Sequence, residues 1–124
     1  MNINKTVHES GSLRLEIIEN ENDISVIWLG KSTDREPGKF LIPILTEAVH
    51  KAAVSEKIVI FDFCNLEYLN SSTITPIFRI VSKLDISLKE FKILFQKNIR
   101  WQVLNFSALH VLSTRDPRIE ISGI

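Results

Sequence analysis

Four consecutive polar residues, Asn70-Ser71-Ser72-Thr73, stand directly before an apolar stripe at helical spacing formed by Ile74, Ile77, Phe78, Val81 and Leu84. Side chains of these types at such a place have two chemical uses. They accept hydrogen bonds from the N–H groups that a first helical turn leaves without partners. A serine there can also carry a phosphate, which gains those same N–H donors and the positive end of the helix dipole. The first use makes a fixed helix end. The second makes a switch, because a phosphoryl group brings close to two negative charges onto the surface.

The elements that must position this tetrad are legible around it. Ile58 to Phe61 is a continuous apolar run, as expected of a strand buried on both faces. The loop Cys64 to Thr73 leaves the carboxyl end of that strand, where sites of open α/β sheets lie. Asp62, at the strand end, reads either as a group that bonds loop N–H donors or as one that positions a bound kinase or phosphoserine. Asn70 reads as holding the turn or orienting the hydroxyl. Pro76 has no N–H, and its ring would crowd the carbonyl of Ser72. The regular helix is therefore predicted to begin near Thr75, with the hydroxyls in an exposed loop.

Upstream, Ser12 to Glu19 alternates through Leu13, Leu15 and Ile17, and Ile24 to Leu29 through Ile24, Val26 and Trp28. With the turn Asn20-Glu21-Asn22-Asp23 between them, they form an antiparallel hairpin. Gly30 and the polar run Lys31 to Gly38 close it, with Asp34 expected as a helix cap. Phe40, Leu41, Ile44, Leu45, Ala48 and Ala52 mark a first helix, its start blurred by Pro37 and Pro43. Phe91 to Phe95 reads as a buried strand, Ile99 to Leu112 as a third helix and Ile119 to Ile121 as a last strand. The order β-β-α-β-α-β-α-β predicts a single α/β domain, a mixed sheet with helices packed on it by right-handed crossovers.

The segment Val59 to Thr73 resembles the signature of STAS domains, the anti-sigma factor antagonist family. Asp62-Phe63 matches the strand end, Tyr68-Leu69 the apolar pair, and Asn70-Ser71-Ser72-Thr73 the family's Asp-Ser-Ser-Gly tetrad. The strand order, the Leu29-Gly30 turn and the length extend the resemblance over most of the chain. Asn70 stands where the family has Asp, and Thr73 where it has Gly.

The resemblance implies a non-enzymatic signalling module of a partner-switching system. Its partners would be an anti-sigma factor that is also a serine kinase, of GHKL type and supplying its own ATP and magnesium, and a phosphatase. Ser72, the second serine of the tetrad, would be the phosphate acceptor. Ser71 is the acceptor if the tetrad aligns instead with biofilm-regulator phosphoproteins carrying Asn-Thr-Ser-Ser, which it also resembles. Family interfaces include the Lys31–Lys39 loop, so Asp34 and Arg35 become candidate partner contacts beside Asp62, Asn70 and Thr73. The other reading is a constitutive interaction scaffold in which the hydroxyls only cap the helix.

Composition excludes several other classes. In 124 residues, Lys plus Arg equals Asp plus Glu at 15 each, so the basic excess that nonspecific nucleic-acid binding requires is missing. Lys89, Lys92, Lys97 and Arg100 read as ordinary solvated surface, and Trp28 and Trp101 as packing residues. The single cysteine, Cys64, forms no internal disulfide and reads as a small packing residue in a reducing compartment. The first residues lack the apolar run of a signal peptide and no stretch is long enough to span a membrane. A cytoplasmic protein is therefore expected. His8, His50 and His110 lack zinc-ligand spacing, and no Gly-rich phosphate loop is present, so neither metal nor cofactor is expected. Ser72, His110 and Asp62 make a triad only on paper, since no nucleophile-elbow glycines flank the serine. The apolar strand edges leave self-association open.

Overall fold

A computed structural model describes residues 4–124; residues 1–3, part of the terminus read against a leader peptide, lie outside the described residues. The central hairpin is β2 (Leu13–Glu19) and β3 (Asp23–Ser32), antiparallel with Leu15 opposite Trp28 and Ile17 opposite Val26. Its alternation buries Leu13, Leu15, Ile24, Val26 and Trp28 on one face, as the period of two requires. A strand that sequence reading missed, β1 (Asn4–Ser10), adds to the outer edge of β2 through the two-residue turn Gly11-Ser12.

From β3 the chain runs through α1 (Gly38–Val54) to β4 (Ile58–Asp62), which pairs parallel with β3. A second strand missed from sequence, β5 (Leu66–Leu69), continues along β3 past the end of β4. Then come α2 (Ser71–Ser82), β6 (Phe91–Phe95), α3 (Arg100–Phe106), a 3₁₀ turn (Ser107–Leu109), α4 (His110–Arg115) and β7 (Ile119–Gly123). The predicted single helix from Ile99 to Leu112 is thus broken at Ser107. Strand order across the sheet is β1-β2-β3-β4-β6-β7, with β5 beside β3.

Each crossover after β3 steps the same way across parallel strands, and the right-handed rule then sets the helices on one face. This corrects the expectation that β4 is buried on both faces. Val59 and Phe61 are fully buried, whereas Ile58 and Ile60, pointing the other way, are only half-buried. Beneath the helices, Trp28, Phe61, Phe63, Phe91 and Phe106 form one aromatic cluster. Phe63 stacks on Phe106 at 4.3 Å and Phe91 meets Phe61 edge-on at 4.7 Å. The indole N–H of Trp28 finds no acceptor in this cluster, a cost of about 1–3 kcal/mol set against the burial of the whole ring.

The β4–β5 break is held by a buried amide. Gln102 is fully buried on α3. Its Nε2 donates to the carbonyls of Phe63 (2.9 Å) and Leu66 (3.2 Å), and its Oε1 accepts from the backbone N–H of Gln96 (2.7 Å). The loop that leads to the tetrad is thereby tied to the end of β6.

Candidate functional site

The tetrad is placed by strand register. β5 runs parallel to β3 with Leu69 beside Ser32, and the Asn70 backbone N–H donates to the Ser32 carbonyl at 3.0 Å. This register depends on a shift in β3 between Gly30 and Lys31. Helix α2 then begins at Ser71, with Asn70 as its N-cap. The expectation of a helix starting near Thr75 is corrected, for Pro76 lies inside the regular helix. Asn70 explains why: its Oδ1 accepts from the Thr73 backbone N–H at 3.1 Å and from Thr73 Oγ1 at 2.6 Å. That cap, with the burial of Ile77 and Val81, outweighs the loss of one N–H at Pro76.

Asn70 also gathers the neighbouring loop. Its Nδ2 donates to the Asp34 carbonyl at 2.8 Å, which requires an amide; the aspartate of the family pattern has no such donor. Thr73 is fully buried, and its Oγ1 lies 2.7 Å from Oγ of the buried Ser32. Because the one Thr73 hydroxyl proton goes to Asn70 Oδ1, Ser32 must be the donor to Thr73. The residue in the family's Gly position therefore closes a buried chain, Ser32 to Thr73 to Asn70. Sequence reading missed Ser32, although extending the alternation of Ile24, Val26 and Trp28 by two steps leads to it.

The two serines occupy the first two positions of α2, exposed, and take no part in the cap. Thr73→Val is expected to cost about 1–3 kcal/mol by leaving the buried Ser32 hydroxyl without its acceptor. Ser71→Ala and Ser72→Ala should each stay within about 0.5 kcal/mol of the parent chain. Urea denaturation checks the contrast; a loss for either serine variant as large as that for Thr73→Val would restore the capping role.

The other candidates fall around this point. Asp34 is exposed and its Oδ1 accepts from the Glu36 N–H at 3.0 Å. The N-cap of α1 is Pro37, with no side-chain bond, so the expected cap at Asp34 is corrected to a turn three residues earlier. Arg35 is exposed and lines a groove of about 640 Å³ between α1 and α2, with Lys39, Ser72, Thr75 and Arg79. Ser72, rather than Ser71, opens onto this groove. Lys39 and Arg79 carry no sequence pattern that would have singled them out.

Asp62 takes the structural option open to it, accepting the Cys64 backbone N–H at 2.9 Å. Burial, then the Asp62 carboxylate, pushes the Cys64 thiol up to about 11, so it stays protonated at neutral pH and is a poor nucleophile. No hydrogen bond or ion pair among the described residues joins Ser72, His110 and Asp62. Nor does any group of three or more potential ligands for a metal occur among them. No helix is long and apolar enough to cross a membrane.

No family model and no curated protein matches the sequence. Among solved structures, the chain is similar to an uncharacterized protein of the DUF3478 family with a SpoIIAA-like fold from Shewanella loihica PV-4. Identity is 16% over 97% of this chain and 84% of that one, with a TM-score of 0.49; the likeness is one of overall shape.

Proposed function

We propose that this chain is a non-enzymatic partner-switching module of STAS type, in which Ser72 is phosphorylated by a bound serine kinase and restored by a phosphatase. The observation that carries the reading is the division of labour in the tetrad. Asn70 and Thr73 do the capping, so the serine hydroxyls are left exposed at the start of α2 with no structural task assigned to them. Free backbone donors and the helix dipole favour a phosphate at that place.

In the transfer, Ser72 Oγ attacks the γ-phosphorus of the ATP held by the partner, ADP leaves, and the hydroxyl proton passes to a base of the kinase. Water reverses the state on the phosphatase, releasing inorganic phosphate. The unmodified form presents the α2 start and the Lys31–Lys39 loop, including Asp34 and Arg35, to the partner. The phosphorylated form sets new charge into that packed interface and weakens it.

Phosphosite mapping by mass spectrometry, on protein isolated from its native cells under phosphatase inhibition, tests this. A phosphate is expected on Ser72; one on Ser71 would select the other alignment. Absence of phosphate on both serines across growth conditions would leave a constitutive interaction domain as the better reading.

A further inference from the structure

We infer that the groove between α1 and α2 is a built-in receptor for the phosphoryl group of Ser72, in which Arg35 and Arg79 hold the phosphate and latch the loop before α1 to α2. The inference rests on the switch reading above and adds what becomes of the phosphate once it is there.

Three cations reach this groove from three separate stretches of chain. Arg35 comes from the loop before α1, Lys39 from the first turn of α1, and Arg79 from the third turn of α2. On α2, Ser72, Thr75, Pro76 and Arg79 follow one another at the spacing of a single helix face, and all line the groove. Seven residues separate Ser72 from Arg79, roughly 10 Å along the axis. Helical side chains lean toward the N-terminus, so the Arg79 guanidinium is carried toward Ser72 rather than away from it.

The two helices start side by side. A methyl group added at Gly38 would lie 4.0 Å from the Pro76 Cβ, which brings the positive ends of both helix dipoles to the same groove. Among the described residues, Arg35 and Arg79 form no ion pair. The acidic residue of the groove, Glu36, is engaged by Lys39 at 2.8 Å, so it does not neutralise the arginines. Two guanidiniums without an ion-pair partner, lining the same groove as one acceptor hydroxyl, suit a doubly charged phosphoryl group, which offers three oxygens to planar donors. A surface evolved only for solvation would not need them to reach one groove from separate stretches of chain.

The latch gives the modified state a second property besides charge. The phosphate neutralises the cations that the unmodified groove would offer to an acidic partner surface, and it fixes the Lys31–Lys39 loop against α2. Switching then works by withdrawing a basic contact as well as by adding a repulsive one.

The test places phosphoserine at position 72 of the full chain by genetic encoding and titrates it by phosphorus NMR. Its second pKa is expected to fall below the ordinary value of about 6 by roughly half a unit or more, because neighbouring cations favour the dianion. The shift should largely vanish in the Arg35→Gln/Arg79→Gln variant, whose substituted residues are exposed. An unshifted pKa, or a shift that the double variant leaves intact, would overturn the latch. Inorganic phosphate at millimolar concentration should leave the Arg35 and Arg79 side-chain signals of the unmodified chain unmoved. Saturable movement would make the groove a site for external phosphate and overturn the inference in this form. The phosphate is installed without a kinase, so this titration speaks to the groove alone, while an unphosphorylated protein in native cells speaks to the switch alone.

Discussion

Gln102→Leu is expected to lower the unfolding free energy by about 2–4 kcal/mol, from the two backbone groups it leaves without partners at about 1–3 kcal/mol each and some recovery by relaxation. Those groups are the Leu66 carbonyl and the Gln96 N–H, while the Phe63 carbonyl keeps the Leu66 N–H at 3.1 Å. Neither can turn to water without pulling the β4–β5 loop off α3, because Gln102 is fully buried. For a domain of this length the melting temperature should drop by roughly 10–20 °C. Leu fills similar volume and adds apolar surface, so a loss of less than about 1 kcal/mol would show that the amide is dispensable and that packing alone holds the break. Thermal and urea unfolding measured together decide it.

The second large effect belongs to Gly30. Its φ is +80°, and a Cβ built there would lie 2.0 Å from the Ser12 carbonyl oxygen. That same oxygen accepts from the Lys31 N–H at 3.0 Å. Gly30→Ala thus faces a left-handed backbone cost of about 1–2 kcal/mol and must also push a backbone carbonyl out of a hydrogen bond. A total of about 3–5 kcal/mol is expected. Gly11→Ala is the internal control: φ there is +58°, but nothing lies within 4 Å, so only the left-handed cost of about 1–2 kcal/mol applies. Equal losses for the two variants in urea denaturation would mean that the β1–β2 turn, which carries the Ser12 carbonyl, yields freely. The effect should not stay local, since Ser32, two residues on, carries the buried hydroxyl that anchors Thr73.

What the sequence made legible follows from how each element earns its burial. The β2–β3 hairpin, α1, β4, α2 and β6 all bury regularly spaced apolar residues, and period is readable. β1 is not, because Asn4–Ser10 is an edge strand with mostly exposed residues; it forms to satisfy the outer edge of β2 rather than to bury a face of its own. β5 escapes for another reason. Its two buried residues, Leu66 and Leu69, are three apart across an irregular pairing, a spacing that points to no strand. At the tetrad, the missing N–H of Pro76 is visible in the sequence, whereas the bonds that tie Asn70 to Asp34 and Ser32 and reinforce its cap reach 36 or more residues along the chain. Gln102 is the same case: a glutamine in a helix looks like surface until the fold brings three backbone groups to it.

The proline inside α2 has a consequence for motion. Pro76 has no N–H to give to the Ser72 carbonyl, so the first turn lacks one rung of the ladder that continues from Ile77 onward. That turn is held instead by the Asn70 cap and the Ser32–Thr73 bond. Opening it costs about the worth of a cap and one hydrogen bond, roughly 2–3 kcal/mol, well below the several kcal/mol of global unfolding. The helix is therefore expected to open as two units in hydrogen exchange. The short N-terminal one, carrying both serines, should exchange faster than the C-terminal one, which is docked on the sheet through Ile77 and Val81.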